Sequence, residues 1–420
     1  MLRMNNTQEE KYIKKRLCSA WWQSVPFYLF RIFPVKKHKV VFTTIEGTTG
    51  FTCNPKYIAL ELIEQNKLLK SNNKWKLVWL VNDMNKTFPD GIKKVKNTLL
   101  NRAFHLTTAR FWIDNSRKQL EARKRQNQIY IQTWHAKLGF KPTGLDRGAS
   151  FSKIAYLVTK HDSDMIDYWL SNSDWYDKTL KTGSLYEGKT LRTGSPRCDI
   201  LVKSRDDFSF KTQMKQHLCN LYNISIIENS VTEIHFLMYA PTYREGNSEI
   251  NRKLSTGGQY PDYELLQKSL EQRFGGKWYI LLRLHPQLVV RHIESGVTGE
   301  RLLDGSKVDD MYELLAGCDA FVTDYSSAAF DAAVMEIPIF LYCNDYKKYE
   351  VERGKLLWDL RKLPFPLAES AVELEKAVEE FDGSEYKNKL CALFSETGMI
   401  EDGKASKNVA DHLSLFLGEN

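Results

Sequence analysis

The chain has 420 residues, which is enough for two domains that each bury a hydrophobic core. Hydrophobic residues make up 42% of it and aromatic residues 12%, so a generally disordered chain is excluded. The net charge of +8 indicates an acidic partner, such as anionic lipid, polyphosphate or nucleic acid, without choosing between them. The seven cysteines show no CxxC or Cys/His metal spacing, which favours a reducing compartment and no structural zinc.

Residues 1–37 include a basic and aromatic segment. Lysines and arginines flank a group of aromatic residues that includes Trp21 and Trp22, and Pro26 together with polar residues interrupts the apolar run. The run is therefore shorter than the roughly 20 apolar residues that span a bilayer. Basic ends with aromatic residues are typical of a segment that lies on a membrane surface, so an anchor of this kind is predicted. A helix packed on the first domain is the alternative.

A first α/β domain is predicted over residues 38–202. Short β-forming runs alternate with helical patterns, which indicates a doubly wound parallel sheet. The strand candidates are Val40–Thr44, Lys76–Val81, Ala109–Asp114 and Gln128–Thr133. A Gly-bearing loop follows the first strand, and Pro55 lies in the first turn of the next helix. His135 stands where the fourth strand ends, and a histidine in that position is structural more often than catalytic.

Two charged features of this domain have ordinary explanations. Five of the ten residues 117–126 are Lys or Arg, and a solvated face is favoured over a binding strip for a polyanionic chain. The triplet Asp162-Ser163-Asp164 matches a metal-binding pattern of some nucleotide-sugar enzymes. A three-residue match is weak, so a helix cap is the favoured interpretation of this triplet.

A second α/β domain is predicted over residues 232–402, after a polar, helical connection over residues 203–231. Its strand candidates are Ile234–Tyr239, Lys277–Leu284, Ala320–Tyr325 and Ile339–Tyr342. The second of these strands leads to His285, so each predicted domain ends one strand with a histidine. If the two sheets face each other, both imidazoles converge on one opening. A final helix is predicted within residues 403–420.

The stretch Ala320–Gly354 has the most informative pattern in the chain. A buried strand, a polar turn, a helix and a second strand follow one another, which is the unit of a parallel sheet. The turn, residues 324–327, lies at the carboxyl edge of the sheet, where open α/β folds bind ligands. Ser326 or Ser327 is predicted to cap the helix, and two hydroxyls with free backbone N–H groups suit a phosphate. A helix cap with no ligand is the alternative.

Six separated sequence boxes resemble those of the CDP-glycerol glycerophosphotransferases, a family of teichoic-acid polymerases with CDP-ribitol relatives and some capsule polymerases. The resemblance extends over roughly residues 39–365, and DYSSxxFD and RxHP are its most specific boxes. The boxes are NPKYI at residues 54–58, QTWH at 132–135, GSPRCD at 194–199, YAPTYR at 239–244, RLHP at 283–286 and DYSSAAFD at 324–331.

The resemblance implies a GT-B architecture, in which two Rossmann-like domains face a central cleft, and a final helix that crosses back to the first domain. It implies transfer of glycerol phosphate or ribitol phosphate from a CDP-alditol to a hydroxyl of a lipid-linked or polymeric acceptor, with release of CMP. His135 would be the general base, and His285 would contact the diphosphate. CDP-alditol would be a substrate, and no cofactor or metal is expected.

The resemblance also implies partners, a location and substrate-binding residues. The expected partners are the donor, a growing anionic polymer and a membrane surface, with no nucleic acid, at the cytoplasmic face of the bacterial membrane. Most of the binding residues would hold phosphate oxygens, whereas Asp331 would hold a ribose or alditol hydroxyl. The substrate-binding set is Gly139, Arg197, Thr242, Tyr243, Arg244, Arg283, Ser326, Ser327 and Asp331. Ala136 departs from the family, which commonly has glycine there, and its methyl group narrows the backbone approach.

Two other functions fit the composition and the predicted fold. A GT-B glycosyltransferase that uses a nucleotide sugar would release UDP rather than CMP. A non-catalytic nucleotide-binding or membrane-binding protein would tolerate loss of both histidines. The resemblance disfavours both of them.

Overall fold

A computed structural model describes residues 6–226, 231–242, 260–284, 301–353 and 355–418. Contacts within the chain divide it into two compact units, each built from separate segments. The N-terminal unit comprises Leu2–Lys137, Thr143–Asp199 and Ile400–Asn420, and the C-terminal unit comprises Leu138–Pro142 and Ile200–Met399. In this division, residues 203–231 lie inside the C-terminal unit.

Seven parallel strands form the sheet of the N-terminal unit, in the order β3-β2-β1-β4-β5-β6-β7. The strands are β1 Lys36–Thr43, β2 Lys76–Val81, β3 Ile92–Lys96, β4 Ala109–Asp114, β5 Ile129–Gln132, β6 Tyr168–Ser171 and β7 Lys189–Arg192. The helices are α1 Asn6–Leu29, α2 Cys53–Leu68, α3 Leu99–Thr107, α4 Lys153–Ser163, α5 Asp174–Gly183 and, at the end of the chain, α14 Ala405–Gly418. The sequence predicted β1, β2, β4 and β5 but not β3, β6 or β7.

The sheet of the N-terminal unit separates two hydrophobic cores because successive side chains of a strand point to opposite faces. In β1, Val40 and Phe42 belong to one core, whereas Val41 belongs to the other. Helix α14 packs in the first core through Val409 and Leu413, both fully buried. The last helix therefore packs in the same core as one face of β1, although the two are at opposite ends of the sequence.

Helix α1 has one packed face and one exposed face. Phe27 is fully buried in the second core, whereas Trp21 and Trp22 have 59% and 65% of their surface exposed. The segment therefore packs on the first domain, as the alternative interpretation required, and still presents aromatic side chains outward. None of the helices in the described ranges combines the length and the apolarity that crossing a membrane requires.

Six parallel strands form the sheet of the C-terminal unit, in the order β10-β9-β8-β11-β12-β13. The strands are β8 Ile234–Tyr239, β9 Lys277–Leu282, β10 Leu302–Asp304, β11 Ala320–Thr323, β12 Ile339–Tyr342 and β13 Leu367–Ala368. The helices are α6 Asp199–Asp206, α7 Phe208–Leu221, α8 Tyr263–Phe274, α9 Met311–Leu315, α10 Ala328–Ala333, α11 Tyr346–Arg353, α12 Ala371–Glu379 and α13 Gly383–Thr397. The predicted doubly wound α/β fold is thus confirmed in both units, while the predicted cleft stays a prediction.

Candidate active site

In each sheet the strand order reverses at one point, between β1 and β4 in the N-terminal unit and between β8 and β11 in the C-terminal unit. The connections leave such a point in opposite directions, and ligands bind in the crevice outside the strand ends there. A side chain bridges the two strand ends in both sheets. Asn115 Oδ1 accepts from the N–H of Ile45 at 2.8 Å, and the Asp324 carboxylate accepts from the N–H and hydroxyl of Thr242 at 2.9 and 2.7 Å.

His135 lies three residues beyond β5, on the same edge of the sheet as Asn115. Its Nδ1 is 2.7 Å from the carbonyl oxygen of Asn115. A carbonyl can only accept, so Nδ1 carries the proton and donates it, and in the neutral ring Nε2 keeps its lone pair. The ring of Trp134 stacks on the imidazole, with 4.5 Å between the ring centroids. The imidazole is therefore fixed in one tautomer that leaves Nε2 available to accept a proton.

The surroundings of His135 keep its ring neutral at pH 7. Burial is the largest of the causes that together lower the pKa of His135 to about 4. The charges of Arg197, Arg117 and Lys137 act in the same direction, and the bond to the Asn115 carbonyl opposes them. The residue still has an exposed surface. Because the three cations act in the same direction as burial, the direction of the shift does not depend on how much solvent reaches that surface.

Three sequence boxes converge on the backbone around His135. Asn54, in the first turn of α2, donates from Nδ2 to the carbonyl of Trp134 at 2.8 Å and accepts at Oδ1 from the N–H of Arg197 at 3.1 Å. Arg197 is buried, and its guanidinium donates to the carbonyl of His135 at 2.6 Å. Trp134 has φ +50°, a left-handed conformation that these contacts stabilise. Arg197 thus holds the backbone of His135, and its predicted contact with phosphate stays a prediction.

Gly139, Ser326 and Ser327 lie together within the C-terminal unit. A Cβ placed on Gly139 would lie 3.9 Å from Cβ of Ser327, in ordinary contact. Ser326 and Ser327 are half-buried at the start of α10. Ser326 Oγ accepts weakly from the N–H of Ala328 at 3.3 Å, whereas Ser327 makes no side-chain cap. The structure therefore brings these three predicted substrate-binding residues into one place.

Two residues that follow the DYSS turn in the sequence hold its tyrosine in place. The Tyr325 hydroxyl donates to Asp345 at 3.0 Å, and the Tyr325 ring stacks on Tyr349 with 3.8 Å between centroids. Burial raises the pKa of the Tyr325 hydroxyl, so it stays a donor at all ordinary pH values. Asp345 and Tyr349, which follow the box in the sequence, therefore have a structural function.

Two predicted substrate-binding residues are held by protein groups. The Arg283 guanidinium donates to the backbone carbonyls of Gly305, Val308 and Asp309, which fixes the loop after β10. Asp331 is buried and accepts from the Tyr312 hydroxyl at 2.6 Å. Binding of substrate by Arg283 and Asp331 stays a prediction.

Three predicted site residues lie outside the described part of the chain, namely His285, Tyr243 and Arg244. The predicted convergence of His135 and His285 is therefore also a prediction still. Thr242 is described, and its hydroxyl is bonded to Asp324 as stated above.

The basic run 117–126 is not a solvated face, so the favoured interpretation was wrong. Lys118 is buried and forms an ion pair with Asp114, and Arg117 lies over the ring of Trp134 at 4.6 Å. The other cations also bind within the unit, through the contacts Arg123–Leu120 O, Lys124–Asp167 and Arg125–Phe33 O. A count of charges could not show this, because the Trp134 ring, Asp167 and the Phe33 carbonyl come from other parts of the chain.

Asp164 of the triplet is the C-cap residue of α4, so the favoured helix-cap interpretation holds for that residue. Asp162 has a different role. It lies buried in the last turn of α4 and accepts from the N–H of Lys118 at 2.8 Å and from the Tyr130 hydroxyl at 3.0 Å. Burial raises the pKa of Asp162 to about 7. Within the described ranges, no group of three or more His, Cys, Asp or Glu residues could hold a metal ion.

Sequence reasoning missed Asn115, which contacts both His135 and the loop after β1. The signal that could have found it is its position directly after the buried strand Ala109–Asp114. An amide there lies at the sheet edge where the ligand is expected.

The family model for CDP-glycerol:poly(glycerophosphate) glycerophosphotransferase matches residues 26–415. A teichoic acid poly(glycerol phosphate) polymerase of Bacillus spizizenii is 26% identical over 400 residues, covering 93% of this chain and 95% of that protein. The polymerase of the same description from Staphylococcus epidermidis is 26% identical over 392 residues, covering 90% of this chain but 50% of that protein. The chain therefore spans about half the length of one relative and nearly all of the other.

Among solved structures, that of the wall teichoic acid polymerase TagF is similar over 100% of this chain and 99% of its own, at a TM-score of 0.76 and 24% identity. This likeness concerns the fold, and it confirms the predicted GT-B class. The family model covers most of the chain, including every box on which the resemblance was based. This protein therefore belongs to the CDP-glycerol:poly(glycerophosphate) glycerophosphotransferase family.

Proposed function

We propose that this protein transfers an alditol phosphate from CDP-glycerol or CDP-ribitol to a hydroxyl of a lipid-linked or growing polymeric acceptor in teichoic-acid synthesis. The acceptor oxygen forms a bond to the phosphorus that bears the alditol, and the bond from that phosphorus to the CMP oxygen breaks. The proton of the acceptor hydroxyl goes to a base of the protein, and CMP leaves with the electron pair. Family membership supports this reaction class.

The observation that carries the proposal is the environment of His135. A general base must be unprotonated and must have a lone pair that the acceptor hydroxyl can reach. The lowered pKa keeps the His135 ring unprotonated at neutral pH. The bond from Nδ1 to the Asn115 carbonyl leaves the lone pair of Nε2 available to the acceptor hydroxyl. His135 is accordingly the proposed base.

The transferred phosphoryl group carries charge on its oxygens that the protein must stabilise. The hydroxyls of Ser326 and Ser327 are the proposed donors, because both side chains are half-buried and Ser327 lies beside Gly139. His285 and Arg244 are proposed to contact the diphosphate on the strength of the RxHP and YAPTxR boxes. The reaction is proposed to need no cofactor.

The protein is further proposed to act at a membrane surface as a peripheral protein, on the cytoplasmic face. The exposed face of α1 supports this proposal, because Trp21, Trp22 and Leu29 all have more than half of their surface accessible. Lys11, Lys14, Lys15 and Arg16 precede them on the same helix. Aromatic side chains next to cations suit the headgroup region of an anionic membrane.

The test is a panel of donors assayed for release of CMP, with the wild type and His135→Ala compared in buffer that contains a chelator. We expect CMP from CDP-glycerol or CDP-ribitol, and a fall in kcat/KM of at least about 100-fold in His135→Ala, the range of general-base catalysis. His412→Ala is the matched control, because the imidazole of His412 also bonds to a backbone carbonyl, that of Asn408, but on α14.

Two results would overturn the proposal. Near-normal CMP release by His135→Ala would show that His135 is not the general base. Release of UDP from UDP-sugars, with no CMP from either CDP-alditol, would replace the donor class by a nucleotide sugar.

A further inference from the structure

The loop after β1 has an unusual backbone. Ile45, Glu46 and Gly47 have φ values of +42°, +55° and +83°, so three successive residues adopt the left-handed region. A β-branched residue such as Ile45 is strained there, and such conformations persist only where neighbouring groups fix them. Two of the fixing groups come from the turn after β4. Ile45 N–H donates to Asn115 Oδ1 at 2.8 Å, and Glu46 N–H donates to Ser116 Oγ at 3.0 Å.

The turn after β4 is itself held firmly. Ser116 donates from its N–H and its hydroxyl to Asp114 Oδ1, at 2.8 and 2.9 Å. The other Asp114 oxygen pairs with Lys118, and both side chains are buried. Gln132 Nε2 donates to the carbonyl of Ser116 at 3.0 Å. These contacts fix the residues on both sides of Asn115, and the bond from Ile45 to its side chain holds Asn115 itself, so the carbonyl of Asn115 is anchored in part through that side chain.

Asn115 links this fixed turn to two other parts of the proposed catalytic site. Its carbonyl accepts from Nδ1 of His135, and its side-chain oxygen accepts from Ile45. The residue is fully buried, and its Nδ2 finds no acceptor among the described residues. A buried amide donor without a partner is uncommon and is not explained by stability. The side chain is therefore better suited to holding its neighbours than to stabilising the fold.

We propose that Asn115 is a positioning residue for His135: its backbone carbonyl fixes the Nδ1–H tautomer, and its side chain anchors that carbonyl to the strained loop 45–47. The proposal rests on the proposed function only where it concerns rate, since the tautomer is a property of the protein without substrate. A residue that orients a base changes kcat more than KM, because misplacement by about 1 Å costs on the order of 100-fold in rate.

The first readout is the 15N spectrum of histidine-labelled protein, in which protonated and bare ring nitrogens have distinct shifts. The His135 signals are assigned by their absence in His135→Ala. Asn115→Ala keeps the backbone carbonyl but loses the side-chain bond to Ile45 that anchors it, so the carbonyl is expected to move away from Nδ1. We therefore expect Nδ1–H in the wild type, a mixture of tautomers in Asn115→Ala, and Nδ1–H again in Asn115→Asp, which keeps an oxygen for Ile45. Asn97→Ala is the matched control: Asn97 holds the same loop at the Glu46 carbonyl, at 2.9 Å, without touching Asn115.

The second readout is kinetic. Asn115→Ala is expected to lower kcat about 10- to 100-fold with little change in KM, while its melting temperature moves by no more than about 4 °C. Asn115→Asp is expected to recover most of kcat. If the alanine variant does not fold, Asn115→Ser takes its place in both measurements.

An unchanged tautomer in the alanine or serine variant would overturn the proposal, as would wild-type kcat in that variant. Failure of the proposed function has a different signature. A tautomer that is fixed in the wild type and lost in Asn115→Ala, together with full activity of His135→Ala, would retain Asn115 as the partner of His135 and remove His135 as the base.

Discussion

At the scale of single residues, the main feature is a histidine whose two ring nitrogens are distinguished by the fold. The Asn115 carbonyl accepts from Nδ1, so Nε2 is the nitrogen that remains for chemistry. Asn54 and Arg197 hold the backbone on either side of the ring, at Trp134 and at His135. The proposed base is thus oriented by groups from three segments that are far apart in the sequence.

The pKa of His135 leads to a prediction for the pH dependence. The base is active when neutral, so kcat/KM falls as the pH drops through the pKa of His135 in the free enzyme. Because that pKa is lowered to about 4, we expect the acidic limb well below pH 6.5. Arg117→Met removes a cation that lowers the pKa, so the limb is expected to move to higher pH. The measurement is the pH profile of kcat/KM.

The control for this profile is Arg125→Met, since the guanidinium of Arg125 bonds to the carbonyl of Phe33 and is not among the charges that shift His135. A limb near pH 6.5 in the wild type, or one that moves equally in both variants, would contradict the prediction.

The residue scale also shows what the sequence could and could not predict. The QTWH box identified His135 at a strand end, because a short buried run followed by polar residues is visible in one segment. The partner of His135 was not visible, because Asn115 comes from a different strand and contributes a backbone carbonyl. Which atom lies next to a histidine depends on the order of the strands in the sheet, and a local sequence pattern does not determine that order.

At the scale of elements, α1 is the part of the chain for which the structure changes the interpretation most. The two sequence-based interpretations, packed helix and membrane-surface segment, each describe one face of it. Phe27 lies in the core of the N-terminal unit, whereas Trp21 and Trp22 are exposed. The proposed surface contact therefore leaves the packing of the helix intact.

This arrangement predicts that membrane binding and stability can be separated. The double variant Trp21→Ser, Trp22→Ser is expected to lose flotation with vesicles that contain anionic lipid, because its aromatic side chains no longer enter the headgroup region. Its free energy of unfolding is expected to stay within about 0.5 kcal/mol of the wild type, as for other exposed positions. Flotation of the full-length protein and urea unfolding measure the two quantities.

The control is Phe208→Ser, at a side chain of the C-terminal unit that is 74% exposed. If the control variant loses flotation as much as the double variant does, or the double variant floats like the wild type, the exposed face of α1 is not the site of membrane binding.

The edge strands show where element prediction fails. The bounds of β2 and β4 were predicted correctly, since both carry continuous runs of buried apolar residues. In contrast, β3 has the sequence IKKVK with only Val95 buried, and β7 has KTLR with only Leu191 buried. An outer strand is covered on fewer sides, so its sequence lacks the apolar run by which a strand is recognised.

At the scale of the whole molecule, the N-terminal unit is discontinuous in sequence. Its last segment, Ile400–Asn420, follows the long segment Ile200–Met399 of the other unit. Helix α14 in that last segment supplies four buried side chains to the core that contains β1 and α2. A final helix that crosses back to the first domain was expected from the family resemblance, but a helical pattern alone could not show which of the two cores it enters.

This packing predicts that a single substitution near the end of the chain destabilises the unit formed by its beginning. Leu413→Ala removes a fully buried side chain and is expected to lower the free energy of unfolding by about 2–5 kcal/mol. The measurement is hydrogen exchange in peptides from α2, which shares this core. Leu415→Ala, at a neighbouring side chain of the same helix that is 62% exposed, is the control. Equal protection of α2 in both variants would refute the prediction.

The same discontinuity has a consequence during synthesis on the ribosome. The strands β1 to β7 emerge before α14, so the sheet face that α14 covers together with α2 stays incompletely covered until the roughly 200 residues of Ile200–Met399 have been translated. At ~5–20 residues per second, that interval is about 10–40 s. During it the core that contains Val40, Phe42 and Ile58 lacks the four side chains of α14, and this is the period in which a chaperone would be needed.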